Sequence, residues 1–204
     1  MFDNSVTTGR LTQRERRERA EEALLVSAAE LIVAEGPTAV TLARVGERAG
    51  YSRGIASHHF GSKQGLLDAL VRRAQSGFVP GLADRQPGLE RLLALIEGYI
   101  RRLGDGDVRA HAFVVLWGAA SADGELAALF RERDAALRAD VRGDIVAGLA
   151  DGTVHPDIDP DEITFALFAQ LRALALQLPR ESTPLDAAHL ARTVRELWRR
   201  AVTS

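Results

Sequence analysis

The stretch from Thr41 to Lys63 constrains the fold of this chain most strongly, because it reads as two short helices separated by a tight turn. Thr41 is a suitable N-cap, since its hydroxyl can accept a hydrogen bond from an otherwise unpaired amide of the first helical turn. Apolar residues then recur at helical spacing, at Leu42, Val45 and Ala49. Gly50 follows this stripe, where the backbone must adopt a left-handed conformation that glycine reaches freely. The first short helix is therefore expected to end there.

Ser52 can cap a second helix in the same way, and this helix has a narrow apolar side. The residues expected to face inward are Ile55, Ala56 and Phe60. The residues expected to face outward are Arg53, Gly54, Ser57, His58 and His59. Each outward residue donates hydrogen bonds or is small, and no carboxylate lies between Ala49 and Gln64. Two helices joined by a short glycine-containing turn are typical of a helix-turn-helix, whose second helix enters the major groove of DNA.

The segment resembles the N-terminal DNA-binding domain of the tetracycline-repressor (TetR) family of bacterial regulators. The shared features are a Thr-capped helix, a glycine turn, an aromatic-rich second helix ending in Phe, and a Ser-Lys pair that opens a fourth helix. In this chain they are Thr41, Gly50, Ser52-Arg53-Gly54, His58-His59-Phe60 and Ser62-Lys63. Ser57 and His59 stand where the family commonly has tyrosines. His58 and His59 are the candidates to replace the missing phosphate contact.

The resemblance implies an all-α protein of about nine helices, TetR-like in architecture. It implies a helix-turn-helix DNA-binding domain over residues 1–62 and a ligand-binding and dimerisation helical bundle over residues 63–204. The implied function is a DNA-binding transcriptional regulator, a repressor in most members. Such a protein binds a pseudo-palindromic operator in double-stranded DNA as a homodimer and is released by a small-molecule effector.

The expected DNA contacts fall into two groups. The residues expected mainly to hold phosphate are Thr41, Ser57, His58, His59 and Lys63, and Ser52 is a further expected DNA contact. The residues expected to face base edges are Arg53, Gly54 and Ile55. Arginine at the first of these positions can bind guanine through two hydrogen bonds.

Lys63 is the single lysine among the 26 basic residues of the chain. A cation at the N-terminus of a helix opposes the helix dipole, so helix stability alone does not favour lysine there. A nearby phosphate would supply a reason, and chance is the alternative.

Arginines are frequent around the start of the first predicted helix, at Arg10, Arg14, Arg16, Arg17 and Arg19. Glu15 and Glu18 lie among them. One interpretation is a basic arm that lies along phosphate or in a minor groove. The other is a solvated helix start with intrahelical ion pairs.

The rest of the chain also shows helical periodicity and no useful strand alternation. The first helix is expected over about residues 13–34, ending at Gly36-Pro37, and the fourth over about 63–77. A Pro/Gly-rich connection over 78–88 separates them from five further helices. These are expected at about 88–103, 107–121, 124–149, 160–178 and 184–201.

The 107–121 helix is apolar nearly all round, which predicts a position in the middle of the bundle. Its strong polar side chain, His111, is a candidate to bind the effector or to be satisfied by a neighbouring helix. Arg133 falls on an apolar stripe, so it is a candidate to hold an anionic effector or to form an internal ion pair. Other candidate effector contacts are Tyr99, Trp117, Phe165, Phe168 and Gln170. The surroundings favour a largely hydrophobic effector.

The last two predicted helices are rich in leucine and alanine. The resemblance implies that they pair with their copies in a four-helix dimer interface, where small residues permit close approach of helices. The alternative is that both helices only close the core of the monomer.

Composition excludes several other classes of protein. The chain has no cysteine, so disulfides and thiolate metal sites are impossible. The net charge is −2, so any DNA binding must come from local placement of charge. No apolar run is long enough for a membrane span and no secretory signal is evident, so the expected location is cytoplasmic.

No catalytic constellation, metal site or cofactor motif stands out, so an enzyme is not expected. The competing hypothesis is a helical protein-interaction module that does not bind DNA. A weak salt dependence and no affinity for DNA would reveal it.

Overall fold

The computed structural model describes residues 12–75, 79–178 and 185–203. Over these ranges the chain forms nine α-helices and no strand, so the all-α prediction is confirmed. The helices are α1 (Gln13–Glu35), α2 (Leu42–Arg48), α3 (Arg53–Phe60), α4 (Lys63–Gln75), α5 (Leu89–Gly104), α6 (Val108–Ala119), α7 (Gly124–Asp151), α8 (Pro160–Gln177) and α9 (Ala187–Thr203). A 3₁₀ turn, Pro37–Ala39, joins α1 to α2.

Side-chain caps and glycine set the geometry between α2 and α3. The Thr41 hydroxyl accepts from the Arg44 amide at 3.2 Å, and the Ser52 hydroxyl accepts from the Ile55 amide at 3.3 Å. Gly50 has a φ of +74°, in the left-handed region that favours glycine. Both predicted N-caps and the predicted glycine turn are therefore confirmed.

Helices α2 and α4 hold α3 in place. Ala56 is the fully buried residue of α3, so this helix contributes little core of its own. The inward side of α4 is much larger and consists of Leu66, Leu67, Leu70 and Val71, each at most 2% exposed. These residues belong to the same hydrophobic cluster as the buried leucines of α1 and α5. The position of α3 therefore follows from its neighbours.

Helix α6 lies in the middle of the molecule, as its all-round apolar sequence predicts. It packs against α1 and α4 on one side and against α7 and α8 on the other. Five of its residues are buried, namely Ala110, Ala112, Phe113, Val114 and Leu116. We refer to α5–α9 (Leu89–Thr203) as the sensor bundle.

Within the described ranges, no single helix is long and apolar enough to cross a membrane. Helices α6 and α7 meet the length and composition requirements only together, and they are bent by 115° relative to each other.

Two glycines provide matched tests of this packing. A Cβ on Gly65 of α4 would clash with the backbone carbonyl oxygen of Phe60, which cannot move freely, whereas one on Gly143 of α7 would meet nothing within 4 Å. Gly65→Ala is expected to lower the free energy of unfolding by about 1 to 3 kcal/mol through overpacking. Gly143→Ala is expected to raise it by about 0.5 to 1 kcal/mol.

Urea unfolding at one fixed protein concentration measures both changes. Equal effects of the two substitutions would contradict the close α3–α4 contact.

Candidate DNA-binding surface and effector cavity

The start of α3 presents an exposed surface, which we name the recognition surface. Its members are Ser52, Arg53, Gly54, Ile55 and His58. Thr41 and Lys63, also exposed, flank it, and Ser57 beside it is half-buried. These residues are among those predicted to contact DNA, and apart from the half-buried Ser57 their side chains are exposed to solvent.

Arg53 differs from the arginines of α2 in having no carboxylate partner among the described residues. By contrast, Arg44 pairs with Glu35 and Arg48 pairs with Glu30, both at 2.7 Å. An exposed guanidinium without an internal partner has its donors available for a phosphate or a guanine edge. Arg53 is therefore the cation of this surface that is best placed to bind DNA.

The predicted inward orientation of Ile55 is wrong, because its side chain is 39% exposed. Ala56 and the half-buried Phe60 form the inward side of α3. Successive residues of a helix point about 100° apart, so burial of Ala56 turns its neighbour outward. This orientation agrees with the alternative prediction that Ile55 faces base edges.

The predicted outward orientation of His59 is also wrong. Its side chain is only 5% exposed, and Nδ1 lies 3.9 Å from the Glu21 carboxylate of α1. This buried nitrogen has no hydrogen-bond partner. Burial lowers the pKa of His59, although Glu21 acts in the opposite direction. Adjacent helical positions cannot share a face, so His58 takes the exposed side and His59 packs against α1.

Lys63 has a structural role that the sequence interpretation missed. Its Nζ donates a hydrogen bond to the carbonyl oxygen of Pro37 at 2.8 Å. The lysine therefore fastens the start of α4 to the 3₁₀ turn, which offsets the unfavourable position of a cation at a helix N-terminus.

The N-terminal arginines that the structure describes lie on α1. Thr12 and Glu15 form a capping box, and Arg14 pairs with Glu18 at 2.8 Å. This arrangement favours the helix-start interpretation for residues 14–19. Arg10 lies outside the described residues.

A cavity of about 390 Å³ lies between α5, α6, α7 and α8 of the sensor bundle and the segment 79–83 that precedes α5. We name it the central cavity. Its apolar lining consists of Val79, Leu82, Ala83, Leu95, Phe113, Ala136 and Leu137. Its polar lining consists of Arg91, Tyr99, Arg133, Asp140 and Arg172. The volume is within the range of roughly 300 to 1,000 Å³ that is common for small-molecule sites.

Two of the seven predicted effector contacts, Tyr99 and Arg133, line the central cavity. His111 lies instead on a separate depression of about 480 Å³ between the end of α5 and the start of α9. Phe165 points to the surface and is 75% exposed, so its predicted inward position is wrong. Helix α8 carries apolar residues on two sides, and its sequence does not show which of these sides other helices cover.

The other three predicted effector contacts pack between helices. Gln170 of α8 accepts a hydrogen bond from the Trp198 indole of α9. Trp117 and Phe168 lie against the guanidinium of Arg172, with ring centroids 5.0 and 4.8 Å away. They therefore support the cavity wall and do not line it.

Arg172 is a residue of the site that the sequence interpretation missed. It is 4% exposed, pairs with Asp134 at 2.6 Å, and also lies over the ring of Phe113. The Trp117 indole donates to the second oxygen of Asp134 at 3.0 Å. The available signal was a lone arginine within the apolar face of α8, because a buried charge needs a partner from another helix.

Arg91 was missed as well. It pairs with Asp144 at 2.9 Å, and the Gly88 amide donates to the same carboxylate at 3.1 Å. Burial raises the pKa of Asp144 despite Arg91. Burial likewise raises the pKa of Tyr99 on the cavity wall, with Arg172 acting in the opposite direction.

The outer side of α8 and α9 exposes apolar groups. Phe165 is 75% exposed and Leu197 is 57% exposed. Small exposed residues continue the outer side of α8, at Ala166, Ala169 and Ala173. This side is a candidate helix-packing interface, because exposed apolar patches of this kind mark association surfaces.

Two family models match the sequence. The model of bacterial regulatory proteins of the tetR family matches residues 24–70, which include α2 and α3. The model of the C-terminal region of BetI-type transcriptional repressors matches residues 87–202, which is more than half of the chain. The helix-turn-helix and the sensor bundle are thus each covered by one model.

Individual relatives of the chain are helix-turn-helix regulators as well. The HTH-type transcriptional regulator BetI of Cronobacter sakazakii is 30% identical over 80% of this chain and 70% of its own length. An uncharacterized HTH-type transcriptional regulator of Mycobacterium tuberculosis is 33% identical over 82% of this chain and 89% of its own. The match to BetI 2 of Chromohalobacter salexigens spans 50% of that relative.

A tetR-family regulatory protein of Rhodococcus RHA1 has the same fold, with a TM-score of 0.71 and 20% identity over 90% of this chain and 96% of its own. The fold and the exposed recognition helix define a helix-turn-helix transcriptional regulator. The chain belongs to the TetR family.

The buried imidazole of His59 generates a prediction on acid stability. Because its folded-state pKa lies below the ordinary value of about 6.5, its contribution to stability is present above that value. The contribution is lost as the pH falls through the folded-state pKa. His59→Phe keeps a buried ring without the titration. We expect a smaller loss of unfolding free energy between about pH 7 and pH 5 in this variant than in the unmodified chain.

Urea unfolding at each pH measures the loss. His58→Phe is the matched control, because His58 is exposed, and it is expected to leave the acid loss unchanged. Equal losses in all three proteins would contradict the assignment.

Proposed function

We propose that this chain is a cytoplasmic repressor that binds a pseudo-palindromic operator as a homodimer and is released by a small molecule in the central cavity. It regulates transcription without catalysing a reaction. The DNA-binding domain extends to residue 62, and residues 63–204 bind the effector and dimerise. The observation that carries this proposal is the recognition surface, with the unpaired guanidinium of Arg53 at the start of an exposed α3.

The recognition surface supports different roles for its residues, some binding base edges and others binding phosphate. Arg53, Gly54 and Ile55 lie at the exposed start of α3, the end that reaches base edges when such a helix enters the major groove. Thr41, His58 and Lys63 flank them and hold phosphate. His59 acts indirectly, by fixing α3 against α1.

The outer side of α8 and α9 supports dimerisation. Two copies of this side would bury Phe165 and Leu197 in a four-helix contact, and the exposed alanines of α8 would permit close approach. Two-fold symmetry of the protein then implies two-fold symmetry of the operator, with half-sites about one helical turn apart or somewhat more.

The direct experiment is fluorescence anisotropy with the intergenic DNA beside the gene of this protein, titrated in salt. The proposal expects tight binding that falls steeply as salt rises, since phosphate contacts release counterions. No binding at low salt to this or random DNA would reject the proposal and favour a helical protein-interaction module.

Arg53→Ala tests the contact that carries the proposal. The variant is expected to lose discrimination at particular base pairs of the operator, worth about 1 to 3 kcal/mol for a bidentate guanine contact. Anisotropy with operators that carry single base changes measures this loss. Arg142→Ala is the matched control, because Arg142 pairs with Asp161 between α7 and α8. Unchanged base preference in Arg53→Ala would contradict the assignment of α3.

Phe165→Asp tests the dimer. It places a charge in the proposed contact, so the variant is expected to elute as a monomer with the helix content of the unmodified chain. Size-exclusion chromatography with light scattering measures the mass. Val33→Asp is the matched control, because Val33 is a 43% exposed apolar residue of α1. A dimeric Phe165→Asp variant, or a monomeric control, would place the interface elsewhere.

A further inference from the structure

Three arginines line the central cavity, and each pairs with a carboxylate from another part of the structure. Arg91 pairs with Asp144, Arg172 with Asp134, and Arg133 with Asp68. The three pairs differ in how completely they are buried. This difference in burial decides which arginine can leave its carboxylate partner and bind a ligand instead.

Breaking the Arg91–Asp144 pair or the Arg172–Asp134 pair would cost much free energy. The side chains of Asp144 and Arg172 are 2% and 5% exposed, and Asp134 is 13% exposed. Removing the partner of such a group leaves a buried charge uncompensated, which is strongly unfavourable. Both pairs also carry further support, from the Gly88 amide and the Trp117 indole. Arg91 and Arg172 are therefore fixed parts of the wall.

The Arg133–Asp68 pair is different in three respects. It is the longest of the three, at 3.2 Å, and its side chains are 24% and 28% exposed. Asp68 also has a second partner, Arg72, at 2.6 Å on the same helix. If Arg133 turned to a ligand, Asp68 would therefore keep one cation and no buried charge would be stranded.

This exchangeable pair joins the cavity to the DNA-binding half of the molecule. Arg133 lies on α7 of the sensor bundle, and Asp68 lies on α4. Helix α4 packs against α3, and Gly65 of α4 lies close to the backbone carbonyl of Phe60 at the end of α3. A change at Arg133 thus acts directly on the helix that positions the recognition surface.

We infer that the central cavity binds an anionic amphipathic molecule, a carboxylate with an apolar chain, and that its anionic group takes Arg133 from Asp68. The inference rests on the proposed function for its consequence, which is that ligand binding releases α4 from α7. Ligand and Asp68 compete for one guanidinium. Competition of this kind gives the ligand different affinities for the two positions of α4, as a population shift requires.

The chemistry of the cavity favours an anion over a cation. Arg91 and Arg172 keep their buried carboxylate partners, so Arg133 supplies the guanidinium that a ligand can take. The carboxylate in the lining, that of Asp140, belongs to a residue exposed to solvent. Guanidinium binds carboxylate through two parallel hydrogen bonds. Leu95, Phe113 and Leu137 supply the apolar surface that an alkyl chain would cover.

Calorimetric titration of the full-length protein tests the ligand class without DNA. The probes are straight-chain carboxylates from butanoate to dodecanoate, with the alcohols and primary amines of the same lengths. At least one carboxylate is expected to bind about tenfold or more tightly than its matched alcohol and amine. If no carboxylate binds, or if alcohol or amine binds equally well, the inference is overturned.

Two substitutions test the exchange. Arg133→Gln is expected to weaken carboxylate binding about tenfold or more, whereas Asp68→Asn is expected to strengthen it, because the internal competitor is neutralised. Arg142→Gln, on the same helix but outside the cavity, is expected to change nothing. Circular dichroism and thermal unfolding confirm that each variant is folded. Unchanged affinity in both Arg133→Gln and Asp68→Asn would overturn the exchange.

Operator binding with and without the tightest carboxylate separates this inference from the proposed function. In the unmodified chain the carboxylate is expected to lower operator affinity, and in Asp68→Asn the ratio of the two affinities is expected to fall toward one. A ratio that is the same in both proteins would overturn the role of Asp68. Failure of the unmodified chain to bind any DNA would reject the proposed function, and the calorimetric results would still decide the ligand class.

Discussion

Four buried apolar side chains of α4, Leu66, Leu67, Leu70 and Val71, anchor the element on which both halves of the molecule depend. Full burial of each is worth about 1.5 to 3 kcal/mol. Helix α3 has only the small side chain of Ala56 fully buried, so it cannot fix its own position. The recognition surface is therefore placed by α2 and α4, so a shift of α4 is expected to move α3 as well.

The polar groups around α4 explain how such a shift can be controlled. At its start, Lys63 is bonded to the carbonyl of Pro37, which ties α4 to the chain before α2. One turn further, Asp68 reaches Arg133 on the wall of the central cavity. Burial fixes the other charged pairs of that wall, Arg91–Asp144 and Arg172–Asp134. The same helix thus joins a hydrogen bond at the DNA-binding end to an exchangeable ion pair at the cavity.

Local rules allowed much of this fold to be predicted from the sequence. The caps at Thr41 and Ser52 and the left-handed turn at Gly50 depend on hydrogen bonds within a few residues, and all three are observed. The central position of α6 followed from its all-round apolar composition. The TetR resemblance is confirmed by the family models.

The sequence predictions that failed depended on contacts between segments that are distant along the chain. His59 is buried because Glu21 of α1 lies beside it, and Phe165 is exposed because no element within the described part of the chain covers that side of α8. The carboxylate partners of Arg91 and Arg172 lie 53 and 38 residues away along the chain. Periodicity gives the spacing of side chains on one helix, and it carries no information on which other helix they meet.

If occupancy of the cavity moves the two recognition surfaces of the dimer, the distance between the two helix-turn-helix domains changes, and this distance can be measured. The chain has no cysteine, so Glu47→Cys on the exposed side of α2 provides one spin label per copy. Double electron–electron resonance then measures the distance between the two spin labels, and so between the helix-turn-helix domains of the two copies. One distance distribution is expected on the operator, and a shifted one is expected when a bound carboxylate displaces the DNA. Release of the DNA with an unchanged distribution would contradict this expectation.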